Sequence, residues 1–342
     1  MRSQPNLKMK LHPYELKPRS TLGKVGSTRS RHGALCRFEF ADGSTGYSDL
    51  HPWHELGDLP LQEQIRLLDL GEMTPLMQGT VRFALLDAEA RSQGRSLWNK
   101  WEIPPSHFLV TDLENLSPSQ LESLARQGFS RLKIKLGPHL EQEVLKLVCL
   151  LPEFSQFSFL IRLDFNSTLN RSEFEKFLEA LGLVIERIDF IEDPFPYDPV
   201  AWAEIQSQWK IRLALDRIPE NSFGSSLVSH PTEFHSESFS VLVHKPACQS
   251  SEWALRFARR LDVSLVVTSY LNHPVGQLSA AWAAGALALE DPKRIECCGL
   301  LSHSVYQENN FSTDMRTQGP FLIPPLGTGM GWDELLKGLS WK

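Results

Sequence analysis

Lys133 and Lys135 stand two residues apart in Arg131-Leu132-Lys133-Ile134-Lys135-Leu136-Gly137. In an extended strand, residues i and i+2 share a face, so both amines project the same way. The apolar runs that follow also end in polar or charged groups. They read Ile161-Arg162-Leu163-Asp164-Phe165-Asn166, Phe190-Ile191-Glu192-Asp193-Pro194, Leu213-Ala214-Leu215-Asp216-Arg217 and Val241-Leu242-Val243-His244-Lys245-Pro246. Buried charge is costly without partners, so the ordered series Lys, Asp, Glu, Asp, Lys implies that these groups meet. Asp164, Glu192 and Asp216 would repel one another unless a cation sat among them. All-oxygen ligation suits a hard divalent ion, Mg²⁺ first, with Mn²⁺ as a substitute. Lys135 and Lys245 flank the triad and would face a metal-bound carboxylate from opposite sides. That geometry removes a proton α to a carboxylate. The metal stabilises the enediolate, and a lysine of depressed pKa takes the proton.

Such a series needs elements that carry every run end to one place. Apolar runs lie near Phe108–Val110, Leu132–Leu136, Phe159–Leu163, Ile188–Ile191, Ile211–Leu215, Val241–Val243, Val263–Val267 and, less sharply, Ile295–Cys297. Their spacing of about 23–30 residues is that of a strand plus a crossover helix. Helical signals fall between them. Ser117-Pro118 starts one helix and Gly128 stops it. Phe174, Phe177, Leu178 and Leu181 form one apolar face, and Trp253, Phe257 and Leu261 another. Seven or eight such units favour a closed parallel β/α barrel, with a doubly wound sheet as the alternative. In a barrel the strand ends converge on one mouth.

The first hundred residues read as α+β. Ala34–Phe40 alternates with period two, Asp42-Gly43 signals a turn, and helical patterns follow near Leu61–Leu70 and Gln78–Gln93. The expected division is a capping domain over 1–104, a catalytic barrel over 105–318, and a Pro- and Gly-rich segment over 319–342. That last segment is expected to return over cap or barrel as irregular chain. At 342 residues the chain is long for one core. A net charge of −6 gives no basic surplus for nucleic acid. Five cysteines without a CxxC pair argue against a disulfide framework or zinc site. A polar Met1–Lys10, and no apolar stretch near the ~20 residues that span a bilayer, give the expectation of a cytoplasmic protein with no membrane partner.

The Lys-x-Lys, Asp-x-Asn, Glu-Asp-Pro, Asp-Arg and Lys-Pro series resembles the lysine–lysine branch of the enolase superfamily, over most of the chain. Phe83–Arg91 is also similar to that family's cap helix. Within the branch, Arg162–Asn166 and the short cap most resemble the o-succinylbenzoate synthases. The resemblance implies an α/β fold, a modified TIM-type (β/α)7β barrel with an α+β capping domain. It implies Mg²⁺ on Asp164, Glu192 and Asp216, Lys135 as base and then acid, and Lys245 as the enediolate's partner on the other face. Lys133 would lie near the metal-bound carboxylate and depress the pKa of Lys135. Arg162 and Asn166 match positions at the substrate or metal shell, and Ser269 matches the succinyl-binding loop. The substrate would be a small-molecule carboxylate that loses water in menaquinone biosynthesis. The rest of the loop Thr268–Gly276 departs from the family's serine-rich pattern.

Racemases of N-acylamino acids and dipeptide epimerases use the same catalytic set, so the core residues alone leave that alternative open. A catalytically silent binding barrel is disfavoured by the presence of every ligand and both lysines. His51 and His54 read as a cap loop, and Cys297-Cys298 as packed thiols.

Overall fold

In the computed structural model, residues 7–20, 29–99, 102–137, 139–216, 234–235 and 237–342 are described. Arg217 of the Asp-Arg motif lies outside them. Three antiparallel strands open the fold: β1 (Lys8–Leu16), β2 (Arg31–Glu39) and β3 (Thr45–Leu50), in spatial order β1-β2-β3. The Asp42-Gly43 turn joins the last two, and Gly43 takes φ +83°, a conformation open to glycine at little cost. Two helices follow, α1 (Leu61–Asp69) and α2 (Pro75–Ser92). Thr74 caps α2 by accepting from Met77 N, and Pro75 occupies its first turn. α2 lies directly on β3, where a side chain at Gly46 would collide with the Ala84 carbonyl. Asp87 on α2 is buried. It pairs with Arg91 at 2.7 Å and accepts from Tyr47 N at 2.9 Å and Met330 N at 2.6 Å. One carboxylate thus ties the sheet, the helix and the C-terminal segment together.

The barrel strands are β4 (Phe108–Val110), β5 (Arg131–Lys135), β6 (Leu160–Asp164), β7 (Ile188–Glu192), β8 (Leu213–Asp216), β9 (Val241–His244) and β10 (Ser264–Val267). All are parallel and neighbour one another in sequence order. Between them run α3 (Pro118–Arg126), α4 (Leu140–Cys149), α5 (Leu151–Gln156), α6 (Arg171–Leu181), α7 (Pro199–Trp209), α8 (Ser251–Leu261) and α9 (Pro274–Glu290). Ser117 with Gln120, and Asn170 with Glu173, form reciprocal capping boxes that start α3 and α6. Residues 294–299 close the barrel by isolated parallel bridges. Leu265 meets Ile295, Thr268 meets Gly299, and Ser106 meets Cys298. The eighth position is therefore filled without a regular strand.

Strand alternation sorts the side chains. Leu132, Ile134, Ile161, Leu163, Leu213 and Leu265 pack outward against the helices. Phe190, Ala214, Val241, Val243 and Val266 form a separate buried cluster in the barrel lumen. One step further toward the C-terminal ends, the inward positions of β6, β7 and β8 become Asp164, Glu192 and Asp216, the same faces carrying charge instead of carbon.

Two expectations change. The C-terminal segment is not simply irregular. With the preceding strand β11 (Arg316–Gln318) it forms a hairpin through β12 (Phe321–Ile323), and it carries a short helix over Asp333–Lys337. It reaches both the barrel, through Ser106 N to Pro320 O, and the cap, where Leu11 and Lys342 exchange backbone hydrogen bonds. β1, absent from the sequence reading, is an edge strand, which accommodates Pro13.

Cap and barrel also meet through a buried polar cluster. Tyr14 Oη donates to Asp49 Oδ1 at 2.5 Å and lies 2.9 Å from His51 Nδ1. Asp49 Oδ2 accepts from His273 N at 3.2 Å. Among the described residues no lysine or arginine faces this carboxyl, and burial pushes its pKa up to about 8. Burial likewise pushes His51 and His273 down to about 3. His51 is thus a neutral interface residue, and His54 is exposed in a single 3₁₀ turn.

Candidate active site

Seven of the nine residues singled out from the sequence line one cavity at the barrel mouth: Lys133, Lys135, Asp164, Asn166, Asp216, Lys245 and Ser269. Lys133 and Lys135 come from the inward face of β5 and pair in register with Arg162 and Asp164 of β6. Lys135 Nζ donates to Asp164 Oδ2 at 2.9 Å and to Asn166 Oδ1 at 3.3 Å. Lys133 Nζ lies 3.0 Å from Asp164 Oδ2 and 2.6 Å from Glu192 Oε2. Across the mouth, Lys245 donates to Asp216 Oδ2. Asp164 and Glu192 are register partners on β6 and β7. Asp193 takes a positive φ of 42° after β7, and its Oδ1 accepts from Asp216 N at 3.1 Å. That bond ties the end of β7 to the end of β8. Asn166 follows β6 at φ +50°, which asparagine tolerates better than most residues.

The electrostatics are uneven. Burial alone would raise the Asp164 carboxyl, but the Lys133 and Lys135 ammonium groups hold it well below the usual carboxylate range. Glu192 has one of those ammonium groups against the charges of Asp164 and Asp216. Burial, followed by those charges, raises it to about 7. Burial opposes the charge on Lys133 too, yet Asp164 and Glu192 keep its pKa above the ordinary lysine value.

As the side chains lie, no three acidic, imidazole or thiol groups among the described residues converge into a ready cage for an ion. Ammonium groups stand between the carboxylates, Lys133 bridging Asp164 and Glu192 and Lys245 resting on Asp216. The donor chemistry nonetheless fits a hard divalent cation. Three carboxylates sit at the ends of adjacent strands, and buried Glu192 Oε1 has no hydrogen-bond partner among the described residues. An uncompensated buried carboxylate oxygen is costly unless something positive completes it.

Glu192 and Arg162 do not line the cavity. Glu192 lies behind Lys133. Arg162 corrects an expectation, because it is fully buried a layer below the mouth. Its Nε donates to Asp189 Oδ2 at 2.7 Å, and one terminal nitrogen donates to Cys297 O at 2.5 Å. The same nitrogen lies 3.1 Å from His107 Nδ1, and the guanidinium stacks 4.5 Å from the Phe190 ring centre. As the side chains stand, the guanidinium is taken up by these partners rather than presented to the cavity. Ser269 Oγ donates to Ser302 Oγ at 2.6 Å on the cavity wall.

The sequence reading missed other wall residues. Arg31, Trp53 and Glu55 descend from the cap, with the Arg31 guanidinium 4.0 Å over the Trp53 ring and 2.6 Å from Glu55 Oε1. His107, Thr268 and Gly299 line the opposite side. His107 directly precedes β4, and a polar residue beginning an apolar run was the available signal. Arg31 carried none. Cys298 is buried and Cys297 partly so, both as free thiols, and burial pushes the Cys298 thiol up to about 12.

The fold is a parallel β/α barrel beneath an α+β cap, with lysines and carboxylates gathered at one mouth. The N-succinyl Arg/Lys racemase of Bacillus cereus superposes with a TM-score of 0.75 at 16% identity, covering 98% of each chain. The muconate lactonizing enzyme of Pseudomonas fluorescens does so with a TM-score of 0.73 at 15% identity, covering 98% of this chain and 96% of the other. At such identities the likeness concerns the fold. Residues 9–90 match the family model described as O-succinylbenzoate synthase, N-terminal domain. An o-succinylbenzoate synthase of Bdellovibrio bacteriovorus is 34% identical over 338 residues, 98% of each chain. The chain belongs to the o-succinylbenzoate synthase family, enzymes of the lyase class.

Proposed function

We propose that this protein converts 2-succinyl-6-hydroxy-2,4-cyclohexadiene-1-carboxylate into 2-succinylbenzoate and water, with Lys135 and Lys245 as its catalytic residues. The observation that carries the assignment of roles is that these two lysines face one cavity across the Asp164–Glu192–Asp216 series. The family relationship supports the substrate.

Asp164, Glu192 and Asp216 would hold Mg²⁺, which when bound neutralises the charge that develops on the substrate carboxylate. Lys135 sits on β5 with Asp164 and Asn166 as its hydrogen-bond partners, which aim its amine at the cavity. As the free amine it takes the ring proton at C1. The electron pair left behind moves into the ring as the C6–O bond breaks, and the ammonium of Lys135 returns the proton to the departing hydroxide. The products are water and an aromatic ring. Lys245 approaches from the other side and contributes positive charge to the enediolate without exchanging a proton. Lys133 fixes the relative positions of Asp164 and Glu192 from beneath. The cap residues Arg31 and Trp53 cover the mouth and limit access of water. On this reading the reaction belongs to menaquinone biosynthesis in the cytoplasm.

The test is a direct comparison of turnover. Purified protein with Mg²⁺ should aromatise the cyclohexadiene carboxylate, followed by ultraviolet absorbance, far faster than it epimerises any dipeptide or N-acylamino acid. Efficient epimerisation with negligible dehydration would overturn the assignment.

A further inference from the structure

We propose that His107 presents an uncharged Nε2–H donor on the cavity wall that binds an oxygen acceptor on the substrate's side chain. In this arrangement Arg162 holds the imidazole in the tautomer required. The proposal rests on the dehydration reading for the identity of the substrate, but its central feature can be measured without turnover.

The tautomer follows from the donor inventory. Arginine has only donors. The Arg162 nitrogen 3.1 Å from His107 Nδ1 must therefore meet a lone pair, and the single proton of the neutral ring then resides on Nε2. Neutrality has its own cause: burial, reinforced by the adjacent Arg162 charge, holds the imidazole pKa well below its ordinary value. Arg162 cannot turn away, because Asp189, the Cys297 carbonyl and the Phe190 ring each hold part of its guanidinium. The backbone is also fixed, since His107 N donates to Cys298 O at 2.8 Å.

His107 lines the cavity, and the ring's hydrogen bond among the described residues is the one at Nδ1 to Arg162, which leaves Nε2 for the cavity. Gly299 keeps the space before the imidazole open. A Cβ there would stand 2.8 Å from His107 Nε2, and the Thr268 methyl borders the same gap at 2.9 Å. A ring nitrogen left for the cavity, a glycine-sized gap before it and a buried arginine that orients the ring make a built site for an oxygen acceptor. The lysine side of the cavity suits the ring carboxylate. That leaves the side chain, with a keto oxygen and a terminal carboxylate, for the neutral wall.

The experiment combines nitrogen NMR with three variants. In protein labelled with ¹⁵N-histidine, the resonance pair lost in His107→Asn should show a proton on Nε2 only. Adding 2-succinylbenzoate should move that Nε2 signal. His107→Asn retains an oxygen for Arg162 but withdraws the donor from the cavity, so KM should rise roughly tenfold with little change in kcat. His107→Gln restores a donor at the Nε2 position and should recover most of that loss. Gly299→Ala should raise KM similarly by filling the gap. Two product analogues separate the acceptors, 2-(3-carboxypropyl)benzoate lacking the keto oxygen and 2-butanoylbenzoate lacking the terminal carboxylate. The analogue without the engaged oxygen should bind wild type and His107→Asn equally. A proton on Nδ1, a doubly protonated ring, or equal losses in the folded Asn and Gln variants would refute the donor wall. If the protein fails to dehydrate the cyclohexadiene carboxylate, the functional assignment falls, while the nitrogen spectrum and analogue binding still decide the wall.

Discussion

Replacing Asp49 with asparagine removes a titrating proton from between cap and barrel, and its effect on stability should depend on pH. The carboxyl is buried, faces no lysine or arginine among the described residues, and has its pKa raised from 3.8 to about 8. The folded protein therefore keeps this proton to a higher pH than the unfolded chain does. The contribution to stability is fully present below the unfolded value and is lost as pH rises through the folded one. The shift of about 4 units sets a ceiling of about 6 kcal/mol at 1.36 kcal/mol per unit. Relaxation and water entry on ionisation should reduce this to roughly 2–4 kcal/mol. Near pH 3.5 the acid is neutral in the folded protein and mostly neutral in the unfolded chain, and the two proteins should agree within about 1 kcal/mol. Between pH 3.5 and pH 9 wild type should lose those few kcal/mol relative to Asp49→Asn. Urea denaturation at pH 3.5, 6 and 9, followed by tryptophan fluorescence and far-ultraviolet circular dichroism, measures the difference. If the variant is less stable than wild type by the same margin at every pH, Asp49 is ionised and compensated, and the reasoning fails.

The two lysines should respond differently to charge-preserving substitution. Lys135→Arg should lower kcat at least ~10²–10⁴-fold because guanidinium cannot accept the proton, whereas Lys245→Arg should be clearly less damaging. Equal, total inactivation in two folded variants would point to proton transfer on both faces. Chelation should abolish turnover, with Mg²⁺ or Mn²⁺ restoring it. Asp216→Asn should raise the metal concentration needed for half-maximal activity, and full activity in excess chelator would defeat the carboxylate-ligand proposal.

The strand ends were legible because charge following an apolar run is physically expensive, and the chain pays that cost at intervals set by one strand and one helix. The helix signals were equally direct, as with Ser117 before α3 and the phenylalanine stripe of α6. Depth within the barrel was not legible. Arg162 and Asp164 share a strand face, and a two-residue offset moves a side chain by about 6–7 Å along the strand. One therefore lines the cavity and the other lies beneath it, with no difference in pattern. β1 was obscured by Pro13 and by lysines on both sides of its apolar residues. The Pro- and Gly-rich tail concealed a hairpin, because Gly319 at φ +56° supplies its turn rather than a break. His107 and Arg31 gain their positions from contacts made across more than fifty residues or from the cap, which local periodicity does not encode.

The irregular closure of the barrel divides the cavity into halves of unequal stiffness. Lys133, Lys135, Asp164 and Glu192 stand on strands joined by runs of paired residues, with one register shift between β6 and β7 at Ile161/Arg162. His107, Thr268 and Gly299 stand where the ring is joined by single bridges. Residues 294–299 can therefore change path without breaking a ladder, and such changes reshape the wall that meets the side chain while leaving the proton-transfer groups in place. A lineage built on this frame can exchange substrates one loop at a time and retain its chemistry throughout.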